Sequence, residues 1–330
     1  MLTFYVNNAY IRFAVFNLAL EEAPDKAPEG GGKMTTIAKN TLVTGVSTGI
    51  GHATAAAFIS KGWRVWGTVR KEADAQRLTK EFGALFHPIL LDVANEEAIP
   101  HAVRQVEQEL QGAGLDGLIN NAGVAIPGPV AVQPMDEIRH ILEVNYFGAL
   151  SLIRAFLPLL GTRENHGYPP GRIINVTSTA GKLGFPFLAA YVASKHALEG
   201  LSQSLRRELM PWGIPVVIIG PGSVKTPIWD KAPDESIYDH TPYRDLFRNF
   251  AKFMLVSSKK GMEAGQIAGV IVEAMEAGKP RTRYAPVAQK FPNWTLPRLL
   301  PDKALDGMMF KLLGMKKLNA PHAVGPAQRN

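Results

Sequence analysis

Short apolar runs alternate with helical patterns from Thr41 onward. The apolar runs predict strands at 41–45, 64–69, 85–91, 115–120, 172–177, 214–220 and 281–284. Helical periodicity predicts helices at 50–61, 72–82, 95–111, 135–160, 187–211 and 263–277. Strands that are apolar on both faces are typical of a parallel sheet covered by helices. The alternation therefore predicts a single α/β domain with a doubly wound parallel sheet of about seven strands and helices on both faces.

Three parts follow one another along the chain. Residues 1–33 have the composition of a leader and linker, disordered or outside the fold. The first 20 residues are mostly apolar but are interrupted by asparagines, which makes a poor membrane span, and Pro and Gly are frequent in 21–33. Residues 34–285 carry the α/β pattern, and residues 286–330 form a C-terminal extension.

Composition restricts the chemistry that this chain can perform. Cysteine is absent, which excludes disulfides, thiolate metal sites and a cysteine nucleophile, and agrees with a cytoplasmic location. The eight histidines are scattered without metal-ligand spacing, so we expect no metal centre. The net charge of +7 suits an anionic cofactor, and the absence of a basic stripe predicts no nucleic-acid partner. Peripheral membrane contact, through the apolar N-terminus or a basic C-terminal helix with Lys311, Lys316 and Lys317, is the alternative location.

A glycine-rich turn follows the first predicted strand. Gly45, Gly49 and Gly51 lie where that strand gives way to a helix. Without side chains, such a turn allows a pyrophosphate to approach backbone N–H groups at the helix start. Tight packing of strand against helix is the alternative reason, because the spacing differs from G-x-G-x-x-G.

Tyr191 and Lys195 form a candidate proton-transfer pair. They are four residues apart, so they share one face of the predicted helix 187–211. An ammonium close to a phenol lowers the pKa of the phenol from about 10. Ser178 follows the strand 172–177 and supplies a hydroxyl at the end of the sheet. This combination predicts an acid/base that works near neutral pH.

These residues, together with Asn120–Gly123, Asn145 and Pro221–Gly222, resemble the short-chain dehydrogenase/reductase family in order and spacing. The resemblance covers about residues 38–285. It implies a single Rossmann-type domain that transfers a hydride reversibly between a nicotinamide cofactor and an alcohol or a carbonyl.

The resemblance also implies residue roles. Tyr191 would be the general acid/base, Lys195 would lower its pKa and bind the nicotinamide ribose, and Ser178 would polarise the substrate oxygen. Asn145 would position a water that links Lys195 to solvent, whereas a buried Asn bonded to the backbone is the alternative. The expected cofactor-binding residues are Gly45, Ser47, Thr48, Gly49, Ile50, Gly51, Arg70, Asp92, Val93, Asn121, Ala122, Gly123, Tyr191, Lys195, Pro221, Gly222, Val224 and Thr226.

The end of the second strand favours NADP over NAD as the cofactor. Arg70 and Lys71 stand where NAD-binding chains carry a carboxylate for the ribose 2′-OH, and cations suit a 2′-phosphate. NAD remains the alternative, because Asp74 is near, Thr48 replaces the basic residue of some family members, and the two cations also suit a solvated helix start.

An apolar segment at 223–262 indicates a lipophilic substrate. Leu246, Phe250 and Phe253 fall at helical spacing and predict an amphipathic lid helix over an apolar pocket. Packing of that helix on the body of the protein or on a partner subunit is the alternative. A further apolar wall is expected from Leu183, Phe185 and Phe187.

A weaker resemblance, from Arg281–Tyr284 into the Leu/Pro-rich tail, is to the retinol and 17β-hydroxysteroid dehydrogenase branch of the family. It implies a ketone or secondary alcohol of steroid- or retinoid-like character. A catalytically silent NAD(P)-binding sensor or scaffold on the same fold is the alternative function. Surplus apolar residues on helices 135–160 and 187–211 predict a homo-oligomer.

Overall fold

The computed structural model describes residues 3–6, 9–12, 39–229 and 235–315. The chain divides into two units between Ile37 and Ala38. In the first unit, β1 (Thr3–Val6) and β2 (Ala9–Arg12) pair as an antiparallel hairpin, within the segment for which the sequence predicts a leader. The predicted linker at 21–33 lies outside the described residues, as do Lys316 and Lys317.

A sheet of seven parallel strands forms the centre of the second unit. Its strands are β3 (Asn40–Val43), β4 (Arg64–Val69), β5 (Phe86–Leu90), β6 (Gly117–Asn120), β7 (Arg172–Val176), β8 (Val216–Ile219) and β11 (Arg283–Tyr284). They lie in the order β11-β8-β7-β6-β3-β4-β5, and the chain reverses its direction of travel across the sheet between β3 and β6. This topology confirms the predicted doubly wound sheet and creates a crevice at the carboxyl ends of β3 and β6.

The described part of the second unit contains ten α-helices, several of which cover the two faces of the sheet. They are α1 (Gly49–Ile59), α2 (Glu72–Phe82), α3 (Ile99–Leu110), α4 (Met135–Leu142), α5 (Gly148–Phe156), α6 (Ala189–Glu208), α7 (Arg244–Lys259), α8 (Ala264–Glu276), α9 (Leu296–Leu299) and α10 (Asp302–Leu312). Two short strands, β9 (Val224–Lys225) and β10 (Met262–Glu263), pair parallel outside the main sheet.

The strand sequences explain why both faces are covered. Successive side chains of a strand point to opposite faces, and here both kinds are apolar. Leu118 enters the core cluster that α3 and α5 complete, whereas its neighbour Ile119 enters the cluster that α1 and α8 complete. Full burial of such a side chain contributes about 1.5–3 kcal/mol. A strand of this composition is therefore stable only between two layers of helices.

The predicted helix at 135–160 is helical throughout but irregular. A π-helical turn at Glu143–Phe147 separates α4 from α5, and a 3-10 turn at Leu157–Leu160 follows. Among the described residues, Met135–Leu160 is the one helix long and apolar enough to cross a membrane. Its residues Leu152 and Phe156 belong to the core cluster on the sheet. The apolar residues of this helix are therefore used for packing on the sheet.

Arg172, the first residue of β7, caps the C-terminus of α8. Its guanidinium donates to the carbonyl oxygens of Ala274, Met275 and Ala277, at 2.9 Å for the last two. These are carbonyls that a helix end leaves without intrahelical partners. Burial lowers the pKa of Arg172, which measures the cost of holding this charge inside the protein.

We expect Arg172→Met to lower the free energy of unfolding by about 2–4 kcal/mol, because three carbonyls lose a charged donor. Urea unfolding followed by circular dichroism measures the change. Arg104→Met, at an exposed position of α3, is the matched control and should change stability by less than about 0.5 kcal/mol. Equal stabilities of the two variants would contradict the capping role.

Candidate active site

The glycine turn after β3 has the geometry that the sequence predicts for a phosphate cradle. Gly45 and Gly49 have φ angles of +69° and +62°, in the left-handed region that favours glycine. At Gly51, an added Cβ would lie 2.2 Å from the carbonyl oxygen of Gly45. The conformation of this turn therefore requires glycine at these positions, and the first N–H groups of α1 lie at its open end.

Hydrogen bonds from the end of β6 hold the turn. The hydroxyl of Thr44 accepts hydrogen bonds from the backbone N–H groups of Asn121 (2.9 Å) and Ala122 (2.8 Å). The side-chain amide of Asn121 donates to the carbonyls of Thr44 (2.9 Å) and Gly45 (3.3 Å). Thr44 is missing from the predicted site residues. In the sequence, only its position directly before Gly45 indicates that Thr44 belongs to the site.

The loop after β8 closes over the same turn. A Cβ added at Gly49 would lie 3.1 Å from the methyl carbon of Thr226, so the Thr226 side chain covers the start of α1. The carbonyl of Pro221 accepts from the N–H of Thr179 (2.8 Å), and the N–H of Gly222 donates to Pro286 (3.1 Å). The structure thus brings the predicted residues after β3, β6 and β8 to one edge of the sheet.

This edge fits a dinucleotide. Two positive φ angles, a glycine position that a Cβ would fill and the first turn of α1 together provide a cradle for phosphate. The side chain of Val224 is buried in the core cluster below it, and the partly buried side chain of Ile50 packs against the same cluster. Within the described parts of the chain, no cluster of His, Asp or Glu is arranged to hold a metal ion.

Arginine side chains lie around the outer end of the cradle. Arg70 is exposed directly after β4. Arg77 of α2, which the sequence reasoning missed, donates to the carbonyl of Ser47 (2.8 Å) and to the carboxylate of Asp74 (3.0 Å). Asp74, the residue that kept NAD open in the sequence analysis, is therefore paired with an arginine. Helix periodicity alone does not reveal that Arg77 reaches the glycine turn.

Asp92 and Val93 follow β5, the edge strand that pairs with β4. The Asp92 carboxylate accepts from the N–H of Ala94 (3.0 Å) in its own turn. A Cβ at Gly148, the first residue of α5, would lie 2.7 Å from the carbonyl of Val93. This close approach fixes the loop against α5, and a contact between Asp92 and a cofactor stays a prediction.

Tyr191 and Lys195 lie on one face of α6, as the sequence predicts, and both are buried. Lys195 is 4 % exposed, and its ammonium donates to the carbonyl of Val176 at 3.1 Å. Its nitrogen lies 5.8 Å from the centre of the Tyr191 ring. Burial lowers the pKa of Lys195 to about 8.

The prediction that Tyr191 has a lowered pKa is wrong for this structure. The sequence predicts a lowered phenol pKa, but the pKa of Tyr191 is raised, because burial outweighs the opposing hydrogen bond with Ser178. Spacing along a helix shows that two groups share a face. It does not show how far both are removed from water.

Ser178 stands between the sheet and α6. Its hydroxyl oxygen accepts from the N–H of Ala180 at 3.1 Å, which caps the short 3-10 turn at Thr179–Gly181. The same side chain hydrogen-bonds the phenol of Tyr191. The structure therefore brings the predicted hydroxyl and phenol together.

Asn145 lies in the π-helical turn and is buried. Its side-chain oxygen accepts from the N–H of Val124 (2.8 Å), and its amide donates to the carbonyl of Val124 (2.9 Å) and to Ser194 (2.9 Å). The alternative of a buried Asn bonded to the backbone describes these contacts. The water-positioning role stays a prediction. A Cβ at Gly123 would lie 3.2 Å from the Asn145 oxygen and 3.5 Å from the Lys195 nitrogen, so these predicted residues meet.

An apolar cluster surrounds Tyr191 on the side away from the glycine turn. Its main members, which we call the Tyr191 cluster, are Phe187, Tyr191, Tyr238, Phe247, Phe250 and Leu313. Phe187 has a φ of +63°, an unusual conformation for a bulky residue. The ring centre of Phe187 lies 5.4 Å from that of Phe250 and 5.8 Å from that of Phe247.

The predicted lid helix exists as α7, but its packing differs from the expected pattern. Phe247 and Phe250 are its buried residues, whereas Leu246 and Phe253 are only partly buried beside the Tyr191 cluster. Of the expected apolar wall, Phe187 is in the cluster and Phe185 packs against it. Leu313 arrives from the C-terminal extension. The structure thus shows α7 packed on the body of the protein, the alternative that the sequence left open.

Comparison with known proteins agrees with this geometry. Residues 39–236 match the family model of short chain dehydrogenases. The chain is 38% identical over 278 residues to an NADPH-dependent 3-dehydrocapnine reductase of Ornithobacterium rhinotracheale, covering 84% of this chain and 97% of that protein. It is 32% identical to estradiol 17-beta-dehydrogenase 2 of Mus musculus, covering 83% of this chain and 74% of the other.

A solved structure shares the fold. A short-chain dehydrogenase from Streptomyces avermitilis has a TM-score of 0.67 at 28% identity, covering 85% of this chain and 96% of its own. The parallel sheet, the glycine turn and the Tyr191–Lys195 face are thus accompanied by similarity along most of the chain. This protein belongs to the short-chain dehydrogenase family and is an oxidoreductase that acts on CH–OH or carbonyl groups.

Proposed function

We propose that this protein transfers a hydride between NADP(H) and the carbonyl or hydroxyl carbon of a lipophilic ketone or secondary alcohol of steroid- or retinoid-like character, with Tyr191 as the acid/base. One observation carries the proposal. The Tyr191 phenol contacts Ser178 on its polar side and lies in an apolar cluster on the other. A polar carbonyl on an apolar body matches such a site.

Tyr191, Ser178 and Lys195 have different roles in the proposed reaction. When bound in reduced form, the nicotinamide supplies the hydride for the carbonyl carbon. Tyr191 donates its hydroxyl proton to the carbonyl oxygen, and Ser178 donates a hydrogen bond to the same oxygen. Because burial raises the pKa of Tyr191, the phenol keeps its proton at neutral pH, which suits the reductive direction. Lys195 holds a positive charge below the phenol and a donor for the cofactor ribose.

NADP is the proposed cofactor. Arg70 and Lys71 are exposed directly after β4, and Arg77 lies against the carbonyl of Ser47. Asp74 is paired with Arg77, which leaves cationic character dominant where the adenosine ribose would lie. The relative from Ornithobacterium rhinotracheale, whose name states NADPH dependence, agrees with this choice.

A lipophilic substrate is supported by the Tyr191 cluster and by one relative. The aromatic rings of Phe187, Phe247 and Phe250 pack against one another in the buried cluster that contains Tyr191. The relative from Mus musculus is named for estradiol, an apolar molecule with hydroxyl groups. Apolar side chains select for the body of a substrate, and the phenol selects for its oxygen.

Self-association and location complete the proposal. Met135 and Phe147, at the two ends of the α4 and π-turn segment, are 56% and 39% exposed, which supports a homo-oligomer through this helical layer. Such a protein would act in the cytoplasm. Peripheral membrane contact is the alternative, and Phe310 and Leu312, exposed on either side of Lys311 in α10, support it.

Tyr191→Phe is the direct test of the acid/base. We expect kcat to fall by about 10²–10⁴-fold, because the ring remains in place while the proton donor is lost. Stopped assays of NADPH oxidation give kcat, and fluorescence titration gives cofactor affinity, which should stay within about twofold of the wild type. Unchanged kcat would exclude Tyr191 as the acid/base. Cofactor binding without any turnover in the wild type would favour the silent sensor.

A panel of ketones and alcohols tests the substrate class. We expect turnover of steroid- and retinoid-like carbonyls with NADPH, at kcat/KM at least tenfold above that with NADH, since one cation–phosphate contact contributes about 1.5–3 kcal/mol. Sugars and short polar carbonyls serve as the control compounds. Turnover confined to the control compounds would contradict the lipophilic site, and a preference for NADH would contradict the cofactor choice.

Lys195 should set an alkaline limit. In the cofactor-free protein its ammonium is lost as pH rises through about 8, so kcat/KM for NADPH should fall above that pH. Lys195→Arg should move the fall to higher pH, because a guanidinium stays charged. A fall in kcat/KM at the same pH in Lys195→Arg would contradict the assignment.

The contribution of Lys195 to folding stability changes with pH in the opposite direction. Between about pH 8 and 10.5 the unfolded chain binds more protons than the folded protein at this group, so its contribution to stability rises with pH there.

A further inference from the structure

Glu199 is a buried carboxylate on the same face of α6 as Tyr191 and Lys195. It follows Lys195 by four residues and Tyr191 by eight, so the three share one stripe of the helix. Glu199 is 1% exposed. A carboxylate at this depth is costly unless it is paired and hydrogen-bonded. Neither the acid/base chemistry nor the cofactor cradle uses it.

The carboxylate of Glu199 connects the helix to the loop that carries Ser178. One oxygen accepts from the hydroxyl of Thr177 at 2.8 Å, directly before Ser178. The other oxygen lies 3.3 Å from the ammonium of Lys182, which follows the Ser178 turn. At Gly181, inside that turn, an added Cβ would lie 2.9 Å from the Glu199 side chain. The carboxylate therefore contacts the Ser178 loop on both sides of the serine.

Arg283, in the edge strand β11, binds the same carboxylate. Its guanidinium donates to the Thr177-bonded oxygen of Glu199 at 2.6 Å, across 84 residues of sequence. The guanidinium lies under the loop after β8, since a Cβ at Gly220 would lie 2.3 Å from it. It also lies 4.7 Å from the ring centre of Trp294, a buried residue of the C-terminal extension. Burial lowers the pKa of Arg283, which the Glu199 charge opposes.

The pair thus joins three parts of the active site. These are the Tyr191 and Lys195 face of α6, the loop with Ser178, and the loop with Pro221 and Gly222. We propose that the buried Glu199–Arg283 pair is a positioning pair, which fixes the Ser178 hydroxyl against the Tyr191 phenol for proton transfer. This inference rests on the proposed function.

The role is geometric rather than electrostatic. The lowered pKa of Lys195 has burial as its cause, so the nearby carboxylate does not set the charge of that lysine. The charged groups that face Glu199 are Arg283 and Lys182, and both are on the Ser178 and β8 side of the helix. Two directional hydrogen bonds, from Thr177 and Arg283, and an ion pair with Lys182 restrain a loop more narrowly than apolar contacts do.

A double-mutant cycle tests the inference. Glu199→Gln should lower kcat by about 10–100-fold, the effect of misplacing a reacting group by about 1 Å, while KM for NADPH stays within about twofold. Ser178→Ala lowers kcat by itself. If Glu199 acts through Ser178, adding Glu199→Gln to Ser178→Ala should cost less than about twofold more. Independent, multiplying losses would overturn the inference.

Two controls separate positioning from general loss of stability. Arg172→Met removes another partly buried arginine with several hydrogen bonds, at the opposite end of β7 from the Ser178 loop, and should keep the wild-type kcat per folded molecule. Should Glu199→Gln not fold, Glu199→Gln with Arg283→Gln removes both charges together, and is expected to fold while kcat stays low. Wild-type kcat in either Glu199 variant, or an equal loss in Arg172→Met, would overturn the inference.

A measurement without turnover distinguishes this inference from the proposed function. The hydrogen bond with Ser178 lowers the pKa of Tyr191, so its loss should move phenolate formation to higher pH. Ultraviolet titration of each protein against its Tyr191→Phe counterpart isolates this one phenol. A higher titration point in Glu199→Gln supports the positioning pair even if no panel compound is turned over, and an unchanged titration point contradicts it.

Discussion

Burial of one face of α6 against the carboxyl edge of the sheet is the constraint on which the site depends. That face places a phenol, an ammonium and a carboxylate at four-residue intervals, and all three are removed from water. Each therefore needs partners inside the protein. Lys195 uses the carbonyl of Val176, and Glu199 uses Thr177 and Arg283. These partners belong to the sheet and its loops, so the buried charges of α6 bind the helix to the sheet.

Two different kinds of contact lie near the buried face of α6. At the switch point of the sheet are the glycine turn and the hydrogen bonds of Thr44 and Asn121, which join the ends of β3 and β6. Away from it lies the Tyr191 cluster, built from the loop before α6, from α7 and from Leu313 near the end of the described chain. Burial in this cluster raises the pKa of the Tyr191 phenol.

Two irregular backbone features contribute to this region. The π-helical turn places Asn145 toward the carbonyl of Val124, and Phe187 takes a left-handed conformation where its ring meets α7. Both features cost free energy that the surrounding packing must offset. The C-terminal extension takes part as well, because Trp294 lies against Arg283 and thereby covers the pair that holds the Ser178 loop.

The sequence by itself determined the strand and helix order, the parallel sheet and the placement of Tyr191 and Lys195 on one face of a helix. Local periodicity suffices there, as β4 at Arg64–Val69 and α2 at Glu72–Phe82 show with bounds equal to the predicted ones. Tertiary structure alone decided the rest. The raised pKa of Tyr191, the choice of Phe247 and Phe250 as the buried face of α7, and the reach of Arg77 to Ser47 depend on neighbours distant in the chain. Glu199 and Arg283 are 84 residues apart, and no spacing rule joins them. Periodicity encodes which side of an element is buried, whereas desolvation and ion pairing depend on what the fold places against that side.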